Sequence, residues 1–224
     1  MDLANTLYHY LKQQKELFGS QIFLEDSFLD NSHSNQTLGI VKESKLDNYR
    51  ISICLCKDCN LHKTRKNFVF GSGDSDAELM LIGEAPGETE DFEGNPFVGR
   101  SGKLLDKILN AISRKRDKGV YITNILKCRP PENRNPLQTE ISKCKPYLLQ
   151  QIDIIKPKII LVLGSIAGHA LLNNNLSIKK MRGKTYIFEG IPMRVTYHPA
   201  ALLRNPDLKK PTWEDFKWVR DFLG

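Results

Sequence analysis

Leu79-Met-Leu-Ile-Gly83, followed at once by Glu84-Ala-Pro-Gly87, is the stretch from which the architecture can be read. Four apolar residues in succession read as a strand buried on both faces, because a half-exposed strand would alternate apolar and polar side chains. The chain runs on through Glu88-Thr-Glu-Asp91 and Asn95-Pro-Phe-Val-Gly-Arg-Ser-Gly102 into Lys103-Leu-Leu-Asp-Lys-Ile-Leu109. The apolar spacing of that last segment is helical, with Ser101 placed as its N-cap. A strand-to-helix connection needs only about 2–6 residues. This one is far longer and rich in glycine, proline and acidic side chains. It is therefore expected to be a functional loop at the carboxyl end of a strand, where open α/β sheets hold their ligands.

Outward from this stretch the pattern repeats. Strands are expected at Leu79–Gly83, Val120–Leu126, Ile159–Gly164 and Met193–Tyr197, and helices over 102–114, 137–155, 165–173 and 212–223. Such alternation implies a parallel sheet covered by helices on both faces. Tyr186–Glu189 and Pro192–Tyr197, separated by Gly190-Ile191, read as a hairpin at the sheet edge. Upstream, a short helix over Lys45–Cys54 leads into the compact part. Residues 1–18 read as an amphipathic helix and residues 19–42, rich in Ser, Asn, Gln and Asp, as a linker. Two regions follow: an amino-terminal helix and linker over 1–43, and one domain over 44–224.

Of the 224 residues, 40% are hydrophobic and 26% charged, as in a water-soluble globular protein. No apolar run approaches the roughly 18–20 residues of a membrane span, and Met1-Asp-Leu-Ala-Asn5 has no secretory pattern, so cytoplasmic residence is expected. The net charge is +7, unevenly placed: residues 1–53 carry 5 Lys/Arg against 7 Asp/Glu, and the remainder 28 against 19. The basic body favours an anionic partner, nucleic acid first.

Cys54, Cys56, Cys59, Cys128 and Cys144 are an odd number of thiols in such a chain, which points to metal or redox use ahead of disulfides. Cys56-Lys-Asp-Cys59 is a C-x-x-C pair. Cys128 follows after 68 intervening residues and Cys144 after a further 15, each flanked by basic residues and proline. Four thiolates can hold zinc or an iron–sulfur cluster. The wide spacing of the second pair favours a cluster, while a thioredoxin-like pair would leave Cys128 and Cys144 unused. Buried structural thiols are the plain alternative.

Two further segments sit at strand ends. His198-Pro-Ala-Ala-Leu-Leu-Arg204 follows the strand Met193–Tyr197, and Thr123-Asn-Ile-Leu126 puts Asn124 near the end of its own strand. An asparagine side chain carries an acceptor and donors in one plane, suited to the edge of a planar base.

Together these motifs resemble the family-4, iron–sulfur branch of the uracil-DNA glycosylase superfamily. The matches are Gly83-Glu-Ala-Pro-Gly87 with Glu90-Asp91, Pro96-Phe-Val-Gly-Arg-Ser-Gly102, Thr123-Asn-Ile-Leu-Lys-Cys-Arg-Pro130, Leu163-Gly-Ser165 and His198 to Arg204, in order over about residues 50–223. Residues 1–49 fall outside it. Ala200 stands where many relatives carry Ser, and Cys54 is an additional thiol two residues before the first expected ligand.

The resemblance implies a three-layer α/β/α sandwich around a central four-stranded, mainly parallel sheet, and a 4Fe-4S cluster held by Cys56, Cys59, Cys128 and Cys144. It implies hydrolysis of the N-glycosidic bond of uracil in single- or double-stranded DNA, leaving an abasic site, by a monomer. Phe97 would stack on the flipped base, Asn124 would read its polar edge and His198 would donate to O2. Glu84 and Ala85 would line the pocket. Leu202 would push into the duplex, with Arg204 beside it on the substrate. Related families position the attacking water with an Asp where this chain has Ala85; Glu84, Glu90 or Asp91 are the substitutes. A non-catalytic iron–sulfur DNA-binding or polymerase-associated module is the alternative, against which the intact Phe97, Asn124 and His198 argue. An electron carrier would have no use for base-shaped loops, and a covalent uracil trap would need a histidine that Cys128–Pro136 lacks.

Overall fold

The strands that the apolar runs call for assemble into one sheet. The computed structural model describes residue 42 and residues 45–224, within the unit Gly39–Gly224. The expected amino-terminal helix, and all of the expected linker but Lys42, lie outside the described residues.

A helix over residues 45–53 (α1) and a 3-10 turn at Asn60–Lys63 precede the sheet. The strands are β1 (Ser72–Gly73), β2 (Leu79–Gly83), β3 (Val120–Asn124), β4 (Ile159–Leu163), β5 (Tyr186–Phe188) and β6 (Ile191–Thr196). The helices between and after them are α2 (Glu88–Glu93), α3 (Arg100–Ala111), α4 (Gln138–Ile155), α5 (Ser165–Leu172), α6 (Ile178–Met181), α7 (Pro199–Arg204) and α8 (Lys209–Leu223).

The order across the sheet is β1-β3-β2-β4-β6-β5. The central four strands are mutually parallel, and β1 and β5 pair antiparallel at the edges. The α/β sandwich, its four central strands and the edge hairpin of β5 and β6 are as expected; β1, which brings the sheet to six strands, is the addition. β1 is 2 residues long, too short to carry a periodic signal. The hairpin turn sits at Glu189-Gly190, one residue earlier than expected. Both residues have positive φ (50° and 76°), the backbone hand that a two-residue hairpin turn needs.

Successive residues of the parallel strands point to opposite faces. Met80, Ile82, Ile160, Val162, Met193 and Val195 pack on one side with Leu148, Ile152 and Ile155 of α4 and Leu171 of α5. Leu79, Leu81, Ile122, Ile159 and Leu161 pack on the other with Leu105 and Leu109 of α3 and Phe216 and Val219 of α8. Burial on both faces explains the unbroken apolar runs.

Because β2 sends the chain to β3 on one side and β4 pairs on its other side, the sheet has a topological switch point there, the usual place for a ligand crevice. Helix α3 starts two residues before the expected position. Gly99, with no side-chain cap bond, holds the N-cap place in Ser101's stead. Its amide and that of Val98 are satisfied by the Glu90 carboxylate from α2.

Candidate active site

Four strand ends converge on one cavity of about 810 Å³. Glu84 and Ala85 leave β2, Asn124 ends β3, Gly164 and Ser165 follow β4, and Tyr197 and His198 follow β6; all line it. Register places Asn124 directly beside Gly83. A Cβ on Gly83 would lie 2.3 Å from Asn124 Oδ1 and 2.7 Å from Phe97 Cζ, so glycine is required for these two side chains to face the same space.

Phe97 and His198 bracket that space, with ring centroids 5.4 Å apart and planes inclined by 33°. Phe97 is 4% exposed and holds a left-handed backbone, φ 53°, which is costly for an aromatic residue. Gly102 makes room for it: a Cβ there would sit 1.7 Å from the Phe97 carbonyl oxygen.

His198 caps α7, its Nδ1 accepting from the amide of Ala200 at 3.1 Å. That bond fixes the neutral tautomer with hydrogen on Nε2. Burial, and then the like charge of Arg204, push its pKa down to about 4, against a smaller opposing pull from Glu90. The ring is therefore an uncharged donor at neutral pH.

Asn124 is 2% exposed, and its Oδ1 is the one buried side-chain polar atom without a hydrogen-bond partner among the described residues. Leaving such an acceptor unpaired costs about 1–3 kcal/mol. Its backbone, by contrast, is secured: the Lys127 ammonium donates to the Asn124 carbonyl.

The three carboxylates considered for orienting water, Glu84, Glu90 and Asp91, part company. Burial raises the pKa of Glu84, which faces the cavity. Glu90 also lines it, but its Oε1 accepts the amides of Val98 and Gly99, both at 3.0 Å. Asp91 lies outside the lining and accepts the amides of Lys66 at 3.0 Å and Asn67 at 3.3 Å. Its work is to hold two loops together.

Ala85 and Arg204 line the cavity as well. Leu202 does not. It is 2% exposed and turned into the core, so in this conformation it offers nothing to a duplex; the exposed leucine of α7 is Leu203, at 43%. On a helix adjacent residues point about 100° apart, and two consecutive leucines cannot share a face. Asn133, Arg134 and Asn135 also line the cavity. No motif in the sequence singles them out by residue type. The signal was there in Pro130, Pro131 and Pro136, which mark a constrained loop whose Glu132 and Asn133 both have φ 55°.

The pattern of the "Uracil DNA glycosylase superfamily" matches residues 70–218. The chain is 48% identical over 177 residues to a "Type-4 uracil-DNA glycosylase" of Saccharolobus solfataricus, covering 75% of this chain and 82% of that one. It is 43% identical over 187 residues to the enzyme of the same description from Archaeoglobus fulgidus, covering 80% and 94%. The chain belongs to the uracil-DNA glycosylase superfamily, in its type-4 branch. A region amounting to 16% of a DNA polymerase of Bacillus phage SP01 is also 34% identical, over 151 residues and 67% of this chain.

In this type-4 chain, Cys56, Cys59, Cys128 and Cys144 line a second, small cavity, and Cys54 does not. Three of the four sulfurs accept hydrogen bonds: Cys56 from Tyr147 Oη at 3.2 Å, Cys128 from Arg65 Nη1 at 3.1 Å and Cys144 from the Lys127 amide at 3.3 Å. Cys54 instead turns its thiol to the Ile51 carbonyl. Among the described residues no three His, Cys, Asp or Glu side chains converge closely enough to grip a single metal ion, and no helix is long and apolar enough to cross a membrane.

Proposed function

We propose that this chain is a monofunctional uracil-DNA glycosylase, which takes a uracil nucleotide out of single- or double-stranded DNA and hydrolyses its N-glycosidic bond, leaving an abasic site. The observation that carries the reading is the unpaired Asn124 Oδ1, buried beside the Phe97 and His198 rings. It is an acceptor held ready for a donor, and uracil N3–H supplies one while the Asn124 amide meets O4. Cytosine presents an acceptor at N3 and a donor at its amino group, so both contacts would be lost.

Phe97 stacks on the extruded base, offsetting part of the roughly few kcal/mol needed to unstack it. As the C1′–N1 bond breaks, negative charge grows on the base, and the neutral His198 donates from Nε2 to O2. A preorganised donor aimed at such charge is commonly worth about 3–4 kcal/mol. Positive charge grows on the sugar, where the Glu84 carboxylate stands as the counter-charge and as the group that orients water. Glu90 is less suited to that task, having one oxygen engaged by two amides. Arg204 at the rim contacts phosphate.

Cys56, Cys59, Cys128 and Cys144 fit a 4Fe-4S cluster. The four line one cavity without converging on a point, as a multi-iron group would require, and the donors to sulfur would stabilise its negative charge. When bound, the cluster supplies folding free energy, tying the segment before β1 to α4. Iron analysis of anaerobically purified protein should give about four per chain, retained in Cys54→Ala and lost in Cys144→Ala; one zinc and no iron would exclude the cluster. Cytoplasmic residence, action as a monomer and a domain beginning near residue 44 complete the proposal.

The deciding experiment is release of free uracil from a labelled oligonucleotide by purified protein. Release from a U-containing strand and none from its C-containing twin is expected, with most uracil activity lost in Asn124→Asp. Near-normal release and discrimination in Asn124→Ala would overturn the pocket assignment.

A further inference from the structure

Phe97 is held in an unfavourable backbone conformation, and the groups that hold it there form a device of their own. The peptide unit joining Phe97 to Val98 is gripped at both ends. Its N–H donates to Glu90 Oε1 at 3.0 Å. Its carbonyl oxygen accepts from Nη2 of Arg116, whose Nη1 donates to the preceding carbonyl of Pro96 at 2.9 Å. Nε of Arg116 is in turn anchored on Asp106 Oδ1 of α3, at 2.5 Å. Each of the three guanidinium nitrogens is thus engaged, and Gly102 supplies the space into which the carbonyl turns.

These bonds fix the orientation of one peptide plane, and through it the ψ of Phe97. A residue in a sparsely populated region persists only where its surroundings over-determine it. A planar guanidinium with donors in a fixed fork is suited to two adjacent carbonyls, whereas an ammonium is a point donor. Arg116 lies on the segment between α3 and β3 and does not line the cavity.

We infer that Arg116 is a positioning residue for uracil excision, which together with Glu90 sets the stacking ring of Phe97 against His198 before the base arrives. This rests on the reading of Phe97 as the base-stacking residue. It assigns Arg116, a cation in a basic chain, to a task other than phosphate contact, and it gives Glu90 a holding role where the sequence suggested a catalytic one.

The test is a double-mutant cycle on single-turnover uracil release from a U-containing oligonucleotide, with binding to undamaged DNA measured across a salt series. In the wild-type background Arg116→Met should slow release about tenfold or more while leaving undamaged-DNA binding and its salt slope unchanged. In a Phe97→Leu background the same substitution should cost less than about threefold, because the ring it positions is already gone. Arg116→Lys keeps the charge but loses the fork, and should show an intermediate loss with the same non-additivity; it serves where Arg116→Met does not fold. An equal loss in both backgrounds would overturn the proposal. So would a salt slope reduced by about 0.7–0.9, the mark of one lost phosphate contact. Normal release by Phe97→Leu alone would instead overturn the stacking assignment beneath it.

Discussion

The Lys127 ammonium donates to the main-chain carbonyl of Asn124 at 2.8 Å from a position with no solvent exposure. The same nitrogen reaches Thr123 Oγ1 and Gln151 Oε1, each at 2.6 Å, so its three N–H donors meet three neutral acceptors. The backbone beneath the Asn124 side chain is thereby tied to α4. Lys127→Met fills the volume and removes the donors, leaving acceptors unpaired at about 1–3 kcal/mol each. A urea melt of the iron-replete variant should show a loss of that order; an unchanged midpoint would show that the bonds contribute nothing net.

Two glycine substitutions separate the pocket from the fold. The Cβ of Gly83→Ala would meet side-chain atoms of Asn124 and Phe97, which can give way into the cavity. The variant should melt within about 1–3 kcal/mol of the parent yet lose most uracil release, because the added methyl occupies the proposed base site. In Gly102→Ala the obstacle is the Phe97 main chain, which cannot turn aside. That variant should lose stability and activity together. Full activity in Gly83→Ala would place the base elsewhere.

The paired leucines of α7 make opposite predictions. Leu202→Ala opens a hole in packed core and should cost about 2–5 kcal/mol. Leu203→Ala removes an exposed side chain and should leave stability nearly unchanged, while slowing release from double-stranded substrate more than from single-stranded. Equal slowing on both substrates would exclude Leu203 as a residue that enters the duplex.

The acid response should be that of a carboxylate, with histidine silent. The folded pKa of His198 is depressed to about 4, below its ordinary 6.5, so between these values the unfolded chain binds the extra proton. Stability from this site is present above pH 6.5 and is lost as pH falls towards 4. Its imidazole stays neutral throughout the range in which an exposed histidine would protonate. The acid limb of uracil release should therefore report Glu84, whose pKa burial raises above the ordinary 4.5, and should vanish in Glu84→Gln. A half-maximal rate at pH 6.5, abolished in His198→Gln, would contradict this.

The four central strands and the helical layers were legible because burial on two faces writes itself as unbroken apolar runs, and helix packing as a 3.6-residue period. The edge strand β5 was legible through the turn at Gly190, whereas β1, only 2 residues long, is held by pairing and not by its own pattern. Helix α2 escaped notice for a related reason. Glu88-Thr-Glu-Asp-Phe-Glu93 has no apolar stripe; two of its acids instead bind amides of the segments at Lys66-Asn67 and Val98-Gly99. Asn124, Phe97 and His198 could be singled out from motif and strand position. Which of Leu202 and Leu203 faces outward could not, since it depends on the rotation of a six-residue helix against its neighbours. Nor could the tie from Arg116 to Phe97, which joins positions 19 apart through main-chain carbonyls that leave no trace in side-chain identity.

The short antiparallel strands at the two margins bear on how the protein behaves when concentrated. An open parallel sheet ends in a row of free backbone donors and acceptors, a template on which another chain can add. Here β3 and β6 are each covered by a partner of only 2 or 3 residues, one containing Gly73 and the other ending in a tight turn. Little ladder remains for a neighbour to extend. The molecule so guards its strands against fibrillar stacking by keeping its margins brief, and the long hydrophobic runs that build the interior are kept from becoming seeds of aggregation.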